Sequence, residues 1–534
     1  MSYRFRRPFL ILVALLLGVS TALTAGAAPG PETAAPAAAT YITVDSTADD
    51  YTDGKSKTCA AYPAEPCTLR RAINQAYPLG AGSRPVYIQF DIPTGDPGYI
   101  SALQAWKIQL TGSSLYDLRE LYGQTILDGS TQPGGRTTGP KIIVDGQDTH
   151  NVGFILRQNG NVVRGLAMQN FEDTHITISS NNNTIEDCWF GLSDGGGTLS
   201  SGSATEPELD SGVALAAGSE GNTIRDNVFA GFTGAAVAIR GSNNVFTGNW
   251  IGSRASGTIP LPAQFDKHPC IHGTWNGGTG VTVDGDDQQI GGPTAAEGNH
   301  FVGLYLESFA ITNQKPAMDI SGQGHLIQNN VIGLDKNGAE IGVCGRGISL
   351  LDGPEDTRIL DNTIVEPDLS GIMANHWTFN GNMLQGNVIK RQSQWPGVLP
   401  GQTNSEGAIV FCTYAPAALL NFAPAKVLQV NGKTVTGTSG DGSPCPNCIV
   451  ELFLDDTDVV TETLQSLAMV MAQANGTWQA TLPAPLEAGQ GLRTMSTVPN
   501  DFTITDLHAG TTSRLSELQA AVSLKVFLPL MVHH

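Results

Sequence analysis

Read as a pattern of apolar and polar positions, the chain repeats one short phrase. GSNNVFTGNWIGS, Gly241 to Ser253, contains Asn-apolar-apolar-polar-Gly/Asp-Asn-apolar-apolar. The phrase returns as NNNTIEDCWF from Asn181, GNTIRDNVF from Gly221, GHLIQNNVIG from Gly324, TRILDNTIV from Thr357 and NMLQGNVIK from Asn382. Between these lie alternating runs: GVALAAG from Gly212, AAVAIRG from Ala235, TGVTVDG from Thr279, PAMDISG from Pro316, RGISLLDG from Arg346 and SGIMANH from Ser370. Alternation with period two over four or five residues, punctuated by Gly, Asn and Asp, predicts short strands joined by turns rather than helices.

Aligned on the second Asn of the phrase, the units place Leu166, Cys188, Asn227, Asn249, Asn330, Asn362 and Asn387 in one column, with a shortest spacing of about twenty-two residues. A near-constant period of this size is the mark of a solenoid. Short strands with no crossing helix satisfy their backbones by coiling, each strand pairing in parallel with its counterpart one coil away, about 4.8 Å distant. The apolar pairs Val237 and Ile239, Val281 and Val283, Ile224 and Phe229, and Ile327 and Ile332 then face inward. The Asn column meets a need of the turns, where a buried, unpaired backbone group costs about 1 to 3 kcal/mol. An inward amide offers both donor and acceptor, can bond the same residue one coil away, and tolerates a left-handed bend. Asn227, Asn249, Asn330, Asn362 and Asn387 are therefore read as structural.

From about Tyr41 to Cys412 the chain resembles the secreted bacterial right-handed parallel β-helix proteins of the pectate-lyase-like superfamily. The resemblance is carried by TILDGSTQPG from Thr125, KIIVDGQ from Lys141, NVVRGLAMQNF from Asn161, GNWIGSRASGT from Gly248 and QIGGPTAAEGNHF from Gln289. ITVDSTADD with CTLRRAINQAY is similar to the Cys-Ser/Thr-Leu-Arg-Glu-Ala-Ile segment that opens many of them, with Arg71 where the acid usually stands. That segment is amphipathic, with Leu69, Ile73 and Ala76 on one helical face, and is expected to cover the open end of the first coil.

The N-terminus carries Arg4, Arg6 and Arg7, an apolar run, and Ala25-Gly26-Ala27, the pattern of a secretory signal. The expected organisation is a signal peptide at 1–27, a Pro/Ala-rich leader at 28–40, an N-terminal cap at 41–80, a right-handed parallel β-helix at 81–424, an immunoglobulin-like β-sandwich at 425–523 and an apolar tail at 524–534. The all-β sandwich follows from the change of rhythm after Lys426, where IVELFLD and TWQATLP read as core strands and Trp478 as a core residue. That module resembles immunoglobulin-like or carboxypeptidase-regulatory-like modules. No segment after the signal is apolar enough to span a bilayer. In an exported chain Cys59 with Cys67, and Cys445 with Cys448, are expected to form local disulfides, while Cys188, Cys270, Cys344 and Cys412 stay open between buried thiols and one long bridge.

A net charge of −20 with only 29 Lys plus Arg argues against nucleic acid, which needs a basic surface. A glycosidase needs neighbouring carboxylates, and a lyase needs a calcium-binding acidic cluster with a base. The outward row of the first strand set runs Thr177, Ala214, Ala238, Thr282, Asp319, Ser349, Met373, with Asp319 its one acid; the second runs Arg164, Glu186, Arg225, Thr247, Gln328, Leu360, Gln385 and predicts a surface ion-pair ladder. The insert from Arg254 to Gly278 gathers Asp266, Lys267, His268, His272 and Trp275, residue types suited to a sugar or peptide surface. These with Asp319 are the candidate ligand-binding residues. Asp284, Asp286 and Asp287 are weak calcium candidates, although paired Asp in a turn usually bond the loop itself. No cofactor is otherwise expected. Together these features predict an exported or cell-surface protein that binds an extracellular glycan or cell-surface ligand without an assigned reaction; the alternatives are a polysaccharide lyase or glycosidase, and a purely structural envelope protein.

Overall fold

The computed structural model describes residues 39–113, 117–200, 211–232, 234–258, 278–304, 316–367, 369–374, 381–391, 407–411, 417–440, 445–458, 460–499 and 507–520. Three long sheets wind as a right-handed parallel β-helix. Sheet A has eleven strands, from Thr40–Val44 to Met383–Gln385; sheet B has eleven, from Tyr99–Ile100 to Val388–Lys390; sheet C has nine, from Val152–Leu156 to Ile409–Phe411. The chain visits C, A and B in turn. Pairing is parallel throughout, except where Tyr99–Ile100 meets Ala105–Gln109.

The middle residues of sheet A stack in register from Ile42 through Ile88, Leu127, Val163, Ile185 and Ile224 to Leu384, all nearly inaccessible to solvent. Rings stack the same way on sheet B, where Phe190 lies 4.8 Å from Phe229 with the planes 8° apart. The residue just before the first inward side chain of a sheet C strand is small, as at Gly153, Gly212, Ala236, Gly280, Ala317, Gly347, Gly371 and Ala408. The reason is space: a Cβ added at Gly212 would sit 2.7 Å from the Phe229 ring. His175 breaks this row, and its ring packs on Phe171, Phe190 and Phe232.

The recurring phrase encodes two corners, not one. After sheet A, Asn227, Asn249, Asn299, Asn330, Asn362 and Asn387 form a chain of side-chain bonds, each Nδ2 donating to the next Oδ1 at 2.9–3.1 Å. Each Nδ2 also donates to a sheet A carbonyl one coil back, as Asn330 does to Ile290 at 2.9 Å. Before sheet A, a second column runs Asn161, Asn183, Asn222, Asn244, Gln288, His325, Thr357 and Asn382. Each phrase is therefore an amide, a three-residue strand, a turn residue and a second amide. The left-handed conformation expected of the column Asn belongs instead to the residue before it: Asp187, Asp226, Asn329 and Asp361 have φ of 53–57°, and Gly165, Gly248 and Gly386 have φ of 66–68°. Gly, Asn and Asp enter that region at least cost, which is why the turn position alternates among them. Cys188 stands in the column after sheet A, where its N–H donates to Asn227 Oδ1 at 3.0 Å and its Sγ lies 3.2 Å from the Glu186 carbonyl; it is a free, buried thiol whose pKa burial pushes up to about 12.

At the N-terminal end the helix Leu69–Ala76 buries Leu69, Ala72, Ile73 and Ala76 against the first coil. Arg71 is matched by Asp53 at 2.6 Å and by Glu65 at 2.5 Å, so the departure from the familiar acid at that position is compensated locally. Cys59 is joined to Cys67 and Cys445 to Cys448. Cys344 is disulfide-bonded, and Cys270 and Cys412 lie outside the described residues.

Two small antiparallel sheets follow. One holds Lys426–Asn431, Thr434–Thr438 and Thr477–Thr481; the other holds Gln465–Met471, Ile449–Asp456, Gln490–Thr497 and Gln519–Ala520. Trp478 is buried between them with Val450, Leu452 and Leu492. The opposite face of the second sheet closes the solenoid, with Phe453 and Met495 joining the β-helix core. Backbone N–H groups at the last coil's edge are met by this module: Gly386 by Glu451 at 3.0 and 3.2 Å, Ile389 by Thr463 Oγ1 at 3.0 Å, Leu384 by Thr512 Oγ1 at 3.0 Å and Arg391 by Glu462 at 2.5 Å. An uncovered parallel edge would otherwise offer itself to another chain. No helix among the described residues is long and apolar enough to cross a membrane. The signal, leader and tail segments expected at the termini fall outside the described residues, save residues 39 and 40.

Candidate functional site

Each sheet has one outward face, and two of the three are engaged within the chain. On sheet A, Asp128, Arg164, Glu186 and Arg225 are consecutive in register. Arg164 bonds Asp128 at 2.6 Å and approaches Glu186 at 3.6 Å, while Arg225 Nε donates to Glu186 at 2.8 Å. The ladder read from the sequence has a fourth member, Asp128. Its carboxylates are far more buried than its guanidinium groups: 5 % and 10 % side-chain exposure for Asp128 and Glu186, against 40 % and 51 % for Arg164 and Arg225.

Sheet B is roofed. Its outward row includes Trp189, Val228, Trp250 and His300, with Trp250 and His300 stacked at 3.9 Å. Tight excursions at 193–198, 254–258 and 335–339 each close on themselves, as Ser193 N–H does on the Thr198 carbonyl at 2.9 Å. They also stack on one another through Ala255 N–H to Gly196 and Lys336 N–H to Gly257, both 3.0 Å. Gly196 and Gly257 lie directly on the Trp189 and Trp250 rings. Lys107 ties the first excursion down, bridging Asp145 at 2.7 Å and Asp194 at 3.0 Å.

Sheet C is left. Its outward row is Ile155, Thr177, Ala214, Ala238, Thr282, Asp319, Ser349, Met373 and Val410, in unbroken register. Nine strands at the parallel spacing make a floor roughly 38 Å long. Its side chains are uncharged apart from Asp319, and those from Thr177 to Ser349 are small. The connections that enter sheet C, at 191–210, 252–280, 302–317 and 333–347, are long; those that leave it, such as 179–183 and 240–244, are short.

Asp319 stands next to Thr282, the central residue of the row. Asp284 ends the preceding strand, exposed, in register with Ser321, which places it diagonal to Asp319 on the same face. Asp286 and Asp287 do not join them. Asp286 Oδ1 accepts the Gln323 N–H at 3.0 Å, and Asp287, with φ of 57°, is the left-handed residue before Gln288. Both serve the corner, and the three weak calcium candidates do not converge. Asp266, Lys267, His268, His272 and Trp275 lie outside the described residues.

Among the described residues one acidic grouping is close enough to hold a metal ion: Asp455, Asp456 and Glu462. It lies at the junction with the C-terminal module. Arg493 Nε already donates to Asp455, and Glu462 accepts the Arg391 N–H. Burial pushes the Glu462 carboxyl up to about 7. Sequence reasoning missed this cluster, although its members lie close together in the chain, on either side of the connection between the paired strands Ile449–Asp456 and Gln465–Met471.

No family model matches the chain, and no curated protein matches it. Among solved structures it is similar to Geobacillus virus E2 ORF18, at 10 % identity and a TM-score of 0.37, with 89 % of this chain and 86 % of that one covered. It is similar also to the A-module of the Azotobacter vinelandii mannuronan C-5 epimerase AlgE6, at 14 % identity and 0.29, covering 67 % and 96 %. The tailspike protein of E. coli bacteriophage HK620, solved with a pentasaccharide, is similar at 13 % identity and 0.21, covering 77 % and 80 %. No activity transfers from these proteins to this chain.

Proposed function

We propose that the chain is an exported or cell-surface protein that binds an extracellular glycan along the outer face of sheet C, with no reaction assigned to it. One observation carries the reading. The sheet C row sets Thr177, Thr282 and Asp319 among apolar side chains in register, while part of the outer face of sheet A carries an ion ladder and that of sheet B carries stacked excursions. A long floor of stacked strands fits an extended polymer, whose hydroxyls exchange hydrogen bonds with Thr177, Thr282 and Asp319. Adhesion follows naturally from such a surface on an elongated, capped scaffold. The immunoglobulin-like character of the C-terminal module belongs to the same proposal.

A single carboxylate in the row does not make an acid and base pair, so hydrolysis is not assigned. The test is a panel of neutral and acidic polysaccharides, with and without calcium, read for binding and for new reducing ends or unsaturated uronate. Binding without product, abolished by Thr282→Trp on the floor and untouched by Gln328→Ala on sheet A, is the expected result. Product formation, or binding that survives Thr282→Trp, would overturn the reading.

A further inference from the structure

The column of side chains at the corner between sheets C and A is made of amides except at His325 and Thr357. His325 is 1 % exposed. Its Nδ1 stands 3.2 Å from the Gln288 N–H, and its Nε2 stands 3.1 Å from the Ser321 carbonyl. A backbone N–H can only donate and a carbonyl can only accept, so the ring must carry its proton on Nε2 and leave Nδ1 bare. An Asn in the same place has no such requirement, since its amide serves both neighbours at any pH.

A second proton on Nδ1 would point at the Gln288 N–H, donor against donor. That contact links the corner 284–288 to the corner 321–325, and these corners end the strands that bear Asp284 and Asp319. Charged groups face His325 from both neighbouring coils: Asp286 and Asp287 on the coil before, and Glu355, Asp356 and Arg358 on the coil after, where Gly324 N–H donates to the Glu355 carbonyl at 2.9 Å and Arg358 pairs with Leu326. Burial holds the imidazole below its usual range, against the pull of the Ser321 carbonyl and of Asp286 and Asp287. The neutral ring is therefore the resting state near neutral pH, and acid is the trigger.

We propose that protonation of His325 breaks its bond to Gln288, opens the corner between sheets C and A beside Asp284 and Asp319, and releases the ligand held on the sheet C face. The release rests on the reading of that face as the glycan site; the opening does not.

The experiment is hydrogen exchange read by mass spectrometry on the full chain at about pH 7.5 and about pH 5, corrected for intrinsic exchange, alongside glycan binding at both. Peptides over 284–290 and 321–327 should exchange about 10-fold faster in acid, and affinity should fall by a similar factor. His325→Asn, which restores the residue type of the column, should hold both constant; His325→Gln is the second variant should the first not fold. Equal protection at both pH values in the parent chain, or the same acid loss in both variants, overturns the opening. Acid opening in a chain that binds no glycan at about pH 7.5 establishes the opening and overturns the release together with the reading of the face.

Discussion

Removing one amide from the column after sheet A should cost more than any surface change on the molecule. Asn330 Oδ1 accepts both the N–H and the Nδ2 of Asn299, at 3.0 and 2.9 Å; its Nδ2 donates to Asn362 Oδ1 and to the Ile290 carbonyl, both 2.9 Å. Asn330→Ala leaves the Asn299 N–H buried without a partner and removes one of the bonds to the Ile290 carbonyl, which keeps its place in the sheet A ladder. Asn299 Nδ2 keeps its bond to Phe246, and Asn362 Oδ1 still accepts the Asn330 N–H. One stranded backbone N–H at about 1 to 3 kcal/mol, plus the lost side-chain bonds, gives a loss of about 2 to 4 kcal/mol. The control is Gln328→Ala, two residues away on the outward face, where the change should stay within about 0.5 kcal/mol. Denaturant midpoints at constant slope measure both. A loss below about 1 kcal/mol for Asn330→Ala, or one equal to the control, would refute the argument that the amides satisfy the corners.

Gly252→Ala should destabilise by about 2 to 4 kcal/mol or prevent folding, since φ is 84° and the added Cβ would lie 1.9 Å from the Val302 carbonyl; thermal unfolding checks this, and a neutral result would mean that the third corner can relax. His175, wholly buried, has its pKa lowered to about 3 by desolvation. The unfolded chain takes the proton first, so stability should fall as pH drops from about 6.5 toward 3, by roughly 3 to 5 kcal/mol in all; His175→Leu should flatten that slope, and an unchanged slope assigns the acid loss elsewhere. Glu451 has the opposite sign: burial raises its carboxyl to about 7, against the bonds from Ser466 and the Gly386 N–H. Its contribution is full below about 4.5 and is lost as pH rises through 7, so Glu451→Gln, which keeps an acceptor for Gly386, should stabilise the capped end by about 1 to 3 kcal/mol at pH 8; a destabilised variant at that pH would show that the ionised form is the better cap.

The sequence by itself determined the coil. Period-two runs, turn residues and a near-constant repeat admit few arrangements other than stacked strands, because each unit is too short to bury its apolar positions alone. It also carried the amide column, whose members are the same residue type at the same offset. Asn299 escaped because Gly298, ahead of it, sits in an insert that breaks the phrase, and the column before sheet A escaped because Gln, His and Thr replace Asn in three of its coils. Local pairs such as Cys59 with Cys67 were legible from their separation alone.

The tertiary structure decided what lies far apart in the chain. Asp128 reaches Arg164 only because they are successive coils of one sheet, and Glu451, Glu462, Thr463 and Thr512 meet the last coil across sixty to one hundred and thirty residues. Which outward face is roofed is equally a matter of packing, since the excursions over sheet B are ordinary Gly-rich turns when read in one dimension. A repeat specifies its own next neighbour. What closes its ends and covers its sides depends on segments whose placement is fixed only once the whole stack exists.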